Sequence, residues 1–176
     1  TGVYVQDQVA IDRWRFTFGG RYDWLENDAT DRVGNRDMTS QDEEFTTRLG
    51  ALYLFDNGLA PYVSYSEAFA MNLGNDGTAN PSPLKPTTGD QEEIGFKYVS
   101  PDQSLAVSAA YFDITQQNRI SDGVTPGGVE QVGAVVDGWE LQVNKRWQQF
   151  ETQVAYTNLN AKNDGTGIRL PYVAEE

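Results

Sequence analysis

Arg21, Arg48, Lys97 and Arg146, with Glu93, Glu140, Gln142 and Gln153, are the polar side chains set most regularly among apolar neighbours. Residues two apart on a strand share a face, so each of these groups belongs to the polar side of an alternating segment. Guanidiniums, carboxylates and amides arrayed in that way suit hydrogen bonding to water or to a guest. They do not compose a catalytic centre. The chain has neither cysteine nor histidine. That removes disulfides, thiolate nucleophiles and Cys-type zinc sites, and with them the usual general base and commonest metal ligand. Acid runs at Asp42-Glu43-Glu44, Glu92-Glu93 and Glu175-Glu176 raise the question of metal binding. Glu92 and Glu93 would point to opposite faces; for the loop acids, solvated charge is the plainer reading and divalent-cation binding the alternative. Gly19-Gly20 and Gly127-Gly128 are not phosphate loops, because neither precedes a helix pattern. We expect no catalytic residue, no metal site and no directly bound cofactor.

The 176 residues carry a net charge of −13. A nucleic-acid partner would call for a basic stripe, which is lacking. No apolar run approaches the roughly 20 residues of a membrane helix. A membrane barrel stays open, because its strands alternate lipid-facing and lumen-facing residues and look soluble on average. The sequence starts at Thr1 and stops at Glu176, and we expect it to be a piece of a longer chain.

Alternation is the main signal. From Arg13 to Glu26 the even positions Trp14, Phe16, Phe18, Gly20, Tyr22 and Trp24 oppose Arg15, Thr17, Arg21 and Asp23. A half-buried soluble strand also alternates, but five aromatics on one face are heavy for a soluble core and ordinary for a lipid-facing surface with aromatic girdles. The pattern recurs over Glu44–Phe55, Leu59–Ala70, Gln91–Val99, Val135–Arg146 and Phe150–Asn158. It is less clean over Gly2–Val9, where Asp7 joins Val3 and Val5, and over Leu105–Gln116, where Phe112 and Ile114 fall on the polar side. That makes eight strands in an all-β antiparallel up-and-down meander. The expected lipid-facing set is Trp14, Phe16, Phe18, Tyr22, Trp24, Leu49, Tyr53, Val63, Tyr65, Ile94, Phe96, Tyr98, Trp139, Leu141, Val154 and Tyr156. The eight polar residues named first are expected to face the lumen.

Connections alternate in length. Short ones lie at Ala10–Asp12, Asp56-Asn57-Gly58, Ser100–Ser104 and Trp147–Gln149; long polar ones lie at Asn27–Asp42, Met71–Asp90 and Gln117–Ala134. Short turns on one side and long loops on the other mark bacterial outer-membrane barrels. A small complete eight-stranded structural or adhesion barrel and a soluble secreted carbohydrate-binding β-sheet protein remain as alternatives.

Particular motifs narrow the choice. Gly2-Val-Tyr-Val-Gln-Asp-Gln8 with Gly19-Gly-Arg-Tyr-Asp-Trp24, and Tyr53-Leu-Phe-Asp-Asn-Gly58 with Ala60-Pro-Tyr-Val-Ser-Tyr-Ser-Glu67, stand in order along the chain. Asp90-Gln-Glu-Glu-Ile-Gly-Phe-Lys-Tyr98, Ala109-Ala-Tyr-Phe-Asp-Ile-Thr115, Val136-Asp-Gly-Trp-Glu-Leu141 and Leu170-Pro-Tyr-Val173 follow. Each is weak alone. In this order they resemble the barrel of TonB-dependent ferric-siderophore receptors of the ferrichrome, hydroxamate-binding type. The resemblance implies a partial barrel over 1–176, part of a roughly 22-stranded wall around a plug, without the plug domain, TonB box or C-terminal strand. It implies a bacterial outer-membrane location and import of a ferric siderophore, the iron arriving chelated. The implied partners are the TonB–ExbB–ExbD system, acting through the missing N-terminal part, and outer-membrane lipid and lipopolysaccharide. Tyr62, Ser66, Met71 and Arg119 climb toward outer loops and are the candidate ligand contacts; interfacial or loop packing is the alternative reading of each. The lumen-facing residues likewise admit two readings, contact with plug or siderophore and simple satisfaction of a wet interior.

Overall fold

The computed structural model describes residues 1–31, 36–78, 82–122 and 129–170. Eight strands form one sheet in sequence order: β1 Gly2–Ile11, β2 Trp14–Asp31, β3 Arg36–Tyr53, β4 Leu59–Ala70, β5 Thr87–Val99, β6 Leu105–Asp122, β7 Val129–Arg146 and β8 Glu151–Asn163. Every neighbouring pair is antiparallel. β1 pairs only with β2, and β8 only with β7. The sheet is open, so it is not a closed eight-stranded cylinder.

Strand register sorts the side chains into rows. One row crosses the sheet as Ile11, Trp14 and Tyr53, then Phe96, Ala109, Leu141 and Tyr156; the next as Val9, Phe16, Ala51, Val63, Ile94, Tyr111 and Trp139. All lie on one face, called here the aromatic face. Rings stack along it: Trp14 on Phe16 at 5.7 Å, Trp14 against Tyr53 at 5.0 Å, Trp139 against Tyr156 at 4.9 Å. Yet these side chains are not packed inside anything. Val63 is 50% exposed, Ile94 59% and Phe18 48%, and the buried apolar residues among those described are Ala60, Leu84, Ala110, Ala134 and Ala161. A water-soluble protein rarely leaves so broad an apolar surface bare.

The third row changes character. It begins as Phe18, Leu49 and Tyr65 and continues as Glu92, Asp113, Asp137 and Asn160. At the opposite end, β4 to β8 gain an apolar row that β2 lacks: Leu59, Tyr98, Val107, Val143 and Val154. The apolar band therefore slides toward the short turns between β2 and β7. Strands that tilt by about 35–45° in a barrel wall give this staircase, because a hydrogen-bonded row then climbs relative to the bilayer plane.

Two of the three expected long loops are largely strand. β2 and β3 stay paired out to Asp31 opposite Arg36, and β6 and β7 out to Asp122 opposite Val129. The expectation of loops over Asn27–Asp42 and Gln117–Ala134 is corrected accordingly. Alternation requires two different environments; where both faces meet water the backbone ladder continues with no apolar period to reveal it. The third loop is shorter than expected, β5 starting at Thr87. The sequence motif Gly127-Gly128 and the residues after Leu170 lie outside the described residues.

The short turns are built by side chains. In the turn between β5 and β6, Ser100 Oγ donates to Asp102 Oδ1 at 2.5 Å, the Ser104 amide donates to the same oxygen at 3.2 Å, and Lys145 Nζ donates to Ser104 Oγ at 2.7 Å. The donors from Ser100 and then Ser104 hold the Asp102 carboxyl down to about 2. A carboxyl lowered on folding contributes stability above its unfolded value, near 3.9, and loses it as pH falls toward the folded one. Wild type should therefore resist thermal unfolding better than Asp102→Asn at about pH 6, and the gap should close by about pH 2. An unfolding midpoint that differs equally at both pH values would contradict this.

Candidate functional site

The other face is polar. Arg21, Arg48, Glu93, Lys97, Glu140, Gln142, Arg146 and Gln153 all share it by register, while the sixteen aromatic and aliphatic residues expected to face lipid share the opposite one. An open concavity of about 810 Å³ runs across β1 to β5, with Gln6, Arg15, Arg48, Tyr62, Ser66 and Glu93 in its lining. At its centre Tyr62 donates its hydroxyl to Glu93 Oε1 at 2.5 Å, Gln91 Nε2 donates to Glu93 Oε2 at 2.9 Å, and Lys97 Nζ stands 5.4 Å from the Tyr62 ring centroid. Farther out, Arg21 clasps Asp23 through Nε and Nη2 at 2.5 and 2.7 Å, a two-pronged pair of the strong kind. This surface can present donors and acceptors to a polar guest. Among the described residues no three acids are grouped to hold a metal ion.

The four candidate ligand contacts fall into two pairs. Tyr62 and Ser66 line one concavity, with Tyr62 at the short-turn end of β4 and not toward an outer loop. Met71 and Arg119 flank the hydrogen-bonded Asn72 and Asn118 farther out. Tyr62 and Ser66 lie on the polar face of β4, Ser66 opposite Arg48 and Gln91. Met71 follows the end of β4. Arg119 lies on β6 several rows beyond the level of Ser66, on the order of 13 Å farther along the strands.

Two features escape a reading of alternation alone. On β6 to β8 the polar face carries Phe112, Ile114, Val136 and Leu159 in adjacent rows, at the level where the aromatic face carries Glu92, Asp113 and Asp137. The apolar side has changed face. Phe112 and Ile114 gave the only sequence signal, as blemishes in an otherwise regular strand. The second feature is a strap. The segment between β4 and β5 is tied to the β6–β7 hairpin through Asn72, which donates to the carbonyls of Lys85 and Asn118 at 2.8 and 3.0 Å, and through the Gln131 amide, which exchanges bonds of 2.9 and 2.6 Å with the Lys85 backbone. Nothing in the residue pattern announces it.

An open antiparallel sheet with an exposed aromatic face, a polar opposite face and short turns at one end defines a stretch of outer-membrane β-barrel wall. Comparison with known proteins makes the class specific. Residues 1–175 match the family described as TonB dependent receptor-like, beta-barrel, and the chain belongs to that family. It is 43% identical over 122 residues to the ferrichrome outer membrane transporter/phage receptor of Escherichia coli, covering 68% of this chain and 16% of that protein. It is 38% identical over 159 residues to the ferrioxamine B receptor of Salmonella typhimurium, covering 89% of this chain and 22% of that one. The chain thus spans about a fifth of these relatives or less. The fold matches the ferripyoverdine receptor of Pseudomonas aeruginosa with a TM-score of 0.77 at 21% identity, over 97% of this chain and 23% of that structure. It matches the ferric yersiniabactin uptake receptor of Yersinia pestis, also at 0.77, with 16% identity, over 98% and 29%. The relatives are receptors and transporters, and the protein is one of the outer membrane.

Proposed function

We propose that the chain is part of the barrel wall of a receptor that binds ferric hydroxamate siderophores and imports them with energy from TonB. The similarity to the ferrichrome transporter and the ferrioxamine B receptor carries this reading. In it, the aromatic face meets lipid and lipopolysaccharide, and the polar face lines a lumen filled by a plug. The plug and the TonB box, through which TonB, ExbB and ExbD would act, belong to other parts of the receptor. Iron stays inside its chelate, so the wall supplies hydrogen bonds and apolar contact rather than metal ligands, and no catalysis. Tyr62, Ser66, Met71 and Arg119 are the proposed contacts, with Tyr62 already ordered by its bond to Glu93.

The test is uptake of labelled iron by cells whose only siderophore receptor is the full-length protein, given hydroxamate, catecholate and carboxylate chelates in turn. Hydroxamate-bound iron should enter, and entry should cease in cells lacking TonB. Uptake confined to catecholates, or undiminished without TonB, would overturn the proposal.

A further inference from the structure

The wall is not continuous between β3 and β4. Their ladder covers only residues 48–52 opposite 62–66, although β3 runs outward to Arg36 and β4 to Ala70. A side chain makes the next rung. Glu67 Oε2 accepts the Thr47 amide at 2.7 Å and also the Thr47 hydroxyl, and Glu67 Oε1 accepts the Tyr65 hydroxyl at 2.8 Å. Beyond this latch β4 stays with β5, and β3 with β2. The Leu54 amide donates to the Arg13 carbonyl next to β2, so even-numbered residues of β3 bond toward β2 and odd-numbered ones toward β4. Outward of Thr47, then, Phe45, Glu43, Gln41 and Thr39 turn amide and carbonyl to an empty side. Among the described residues no backbone group bonds to them there. Hydrocarbon does not tolerate such an edge, so this stretch of about 20 Å stands in water beyond the apolar band.

The free edge is acidic. Asp42, Glu43 and Glu44 lie along it, with Glu26 and Asp28 on the paired strand β2. Neutral donors serve them: the Tyr22 hydroxyl reaches Glu43 at 2.6 Å, the Gln41 amide Glu26 at 3.3 Å and the Thr39 hydroxyl Asp28 at 2.8 Å. The ion pairs among the described residues are Arg13–Asp56 and Arg21–Asp23, and neither includes an acid of this arm. A bare strand edge invites pairing, and charge is a usual guard against it. A second copy of the same edge would set acid against acid, which is unfavourable across strands. The segment between β4 and β5 could otherwise cover the edge, but Asn72 and Gln131 bind it the other way, to the β6–β7 hairpin. An extended chain carrying lysine or arginine is what this edge attracts.

We propose that the outer edge of β3, over residues 39–45, docks an extended cationic segment of a protein that meets the cell from outside, by β-strand addition. The segment's backbone continues the β2–β3 ladder through the amides and carbonyls of Thr39, Gln41, Glu43 and Phe45. Its lysines or arginines lie beside Asp42, Glu43 and Glu44. Main-chain bonds supply affinity in this mode and side chains supply the choice of partner. The Thr47–Glu67 latch keeps β4 from claiming the edge. This role is additional to import and does not depend on which chelate the receptor carries.

The experiment uses the full-length receptor purified in detergent. The probe is a fluorescently labelled peptide of alternating lysine and valine, about ten residues long to span the free edge, read by anisotropy. It should bind, and more weakly as salt is raised. The same peptide N-methylated at every residue keeps its charge and cannot extend a ladder, so it should bind about tenfold more weakly or worse. On the receptor, Gln41→Pro deletes one free amide, a change that edge strands accept, and should weaken binding of the parent peptide several-fold. Gln41→Ser, which keeps the amide, should not. Heat-modifiable gel mobility identifies folded barrels, and the comparison of the two peptides needs no variant. Equal binding of both peptides overturns the proposal, because attraction to an acidic surface would then suffice. A folded Gln41→Pro barrel that binds as tightly as Gln41→Ser overturns it too. So does wild type that binds no peptide, the result expected if another part of the receptor or a second copy already covers the edge.

Discussion

Leu141→Arg should abolish assembly of the full-length receptor, while Gln142→Arg, one residue along, should leave it in the outer membrane at close to the normal level. The two positions differ only in face. Leu141 stands in the row of Trp14, Tyr53, Phe96 and Tyr156, within the apolar band. Gln142 stands opposite Ser108 and Ala155 on the polar face. An arginine on the lipid side near mid-membrane costs about 2–4 kcal/mol, a large part of the total stability of an ordinary domain. The same side chain in a wet lumen keeps its hydration. Outer-membrane level and heat-modifiable gel mobility measure the outcome. Equal tolerance at both positions would mean that the aromatic face does not meet hydrocarbon. Loss at Gln142 with tolerance at Leu141 would mean the faces are reversed.

The same physics decides what could be read from the sequence. Within the band, lipid on one side and polar surroundings on the other force a period of two, so Arg13–Glu26 or Val135–Arg146 declares both its strand and its faces. Beyond the band that constraint lapses. Asp28 and Thr39 still sit opposite each other in β2 and β3, joined by a side-chain bond of 2.8 Å, though neither belongs to any apolar alternation. Those stretches look like loops, and only the paired backbone shows otherwise. The polar face was legible as a set, because Arg48, Glu93 and Gln142 each alternate with apolar positions along their strands, such as Leu49, Ile94 and Leu141. Its local detail was not. Between Gln116 and Arg119 three steps on β6 answer two on β7, a bulge that adds one residue and reverses every face after it. Asn118 meets it with a positive φ and a side-chain bond to the Pro86 carbonyl. Asparagine also satisfies countless turns, so its presence predicts no bulge. The reversal on β6 to β8 is similar: Phe112 and Ile114 were visible as exceptions, and only register with Val136 and Leu159 makes them a patch.

Alanine at Gly138 or Gly95 should destabilise the barrel, and alanine at Gly50 should not. All three glycines are on the polar face, within strands. A Cβ at Gly138 would lie 2.4 Å from the Asn158 carbonyl oxygen, 3.0 Å from Leu159 Cα and 3.0 Å from the tip of the Phe112 ring. The first two are backbone, so β8 would have to move away from β7. At Gly95 the added carbon would lie 2.5 Å from the Ala109 carbonyl oxygen and within 2.8 Å of the Tyr62 hydroxyl oxygen. The Tyr62 ring covers its cross-strand partner Gly95, as the Phe112 ring covers Gly138, an aromatic–glycine pairing in which the ring shields a strand position that has no side chain. Displacing Tyr62 also strains the bond to Glu93 that orders the middle of the concavity. At Gly50 the nearest atoms are 3.7 to 4.0 Å away, ordinary contact. Overpacking of this kind costs about 1–3 kcal/mol, against which the better strand propensity of alanine recovers only about 0.5–1 kcal/mol. The temperature at which the folded band disappears on a gel should fall for Gly138→Ala and Gly95→Ala and hold for Gly50→Ala. A uniform shift in all three would mean that strand flexibility, and not the two aromatic covers, decides what these positions accept.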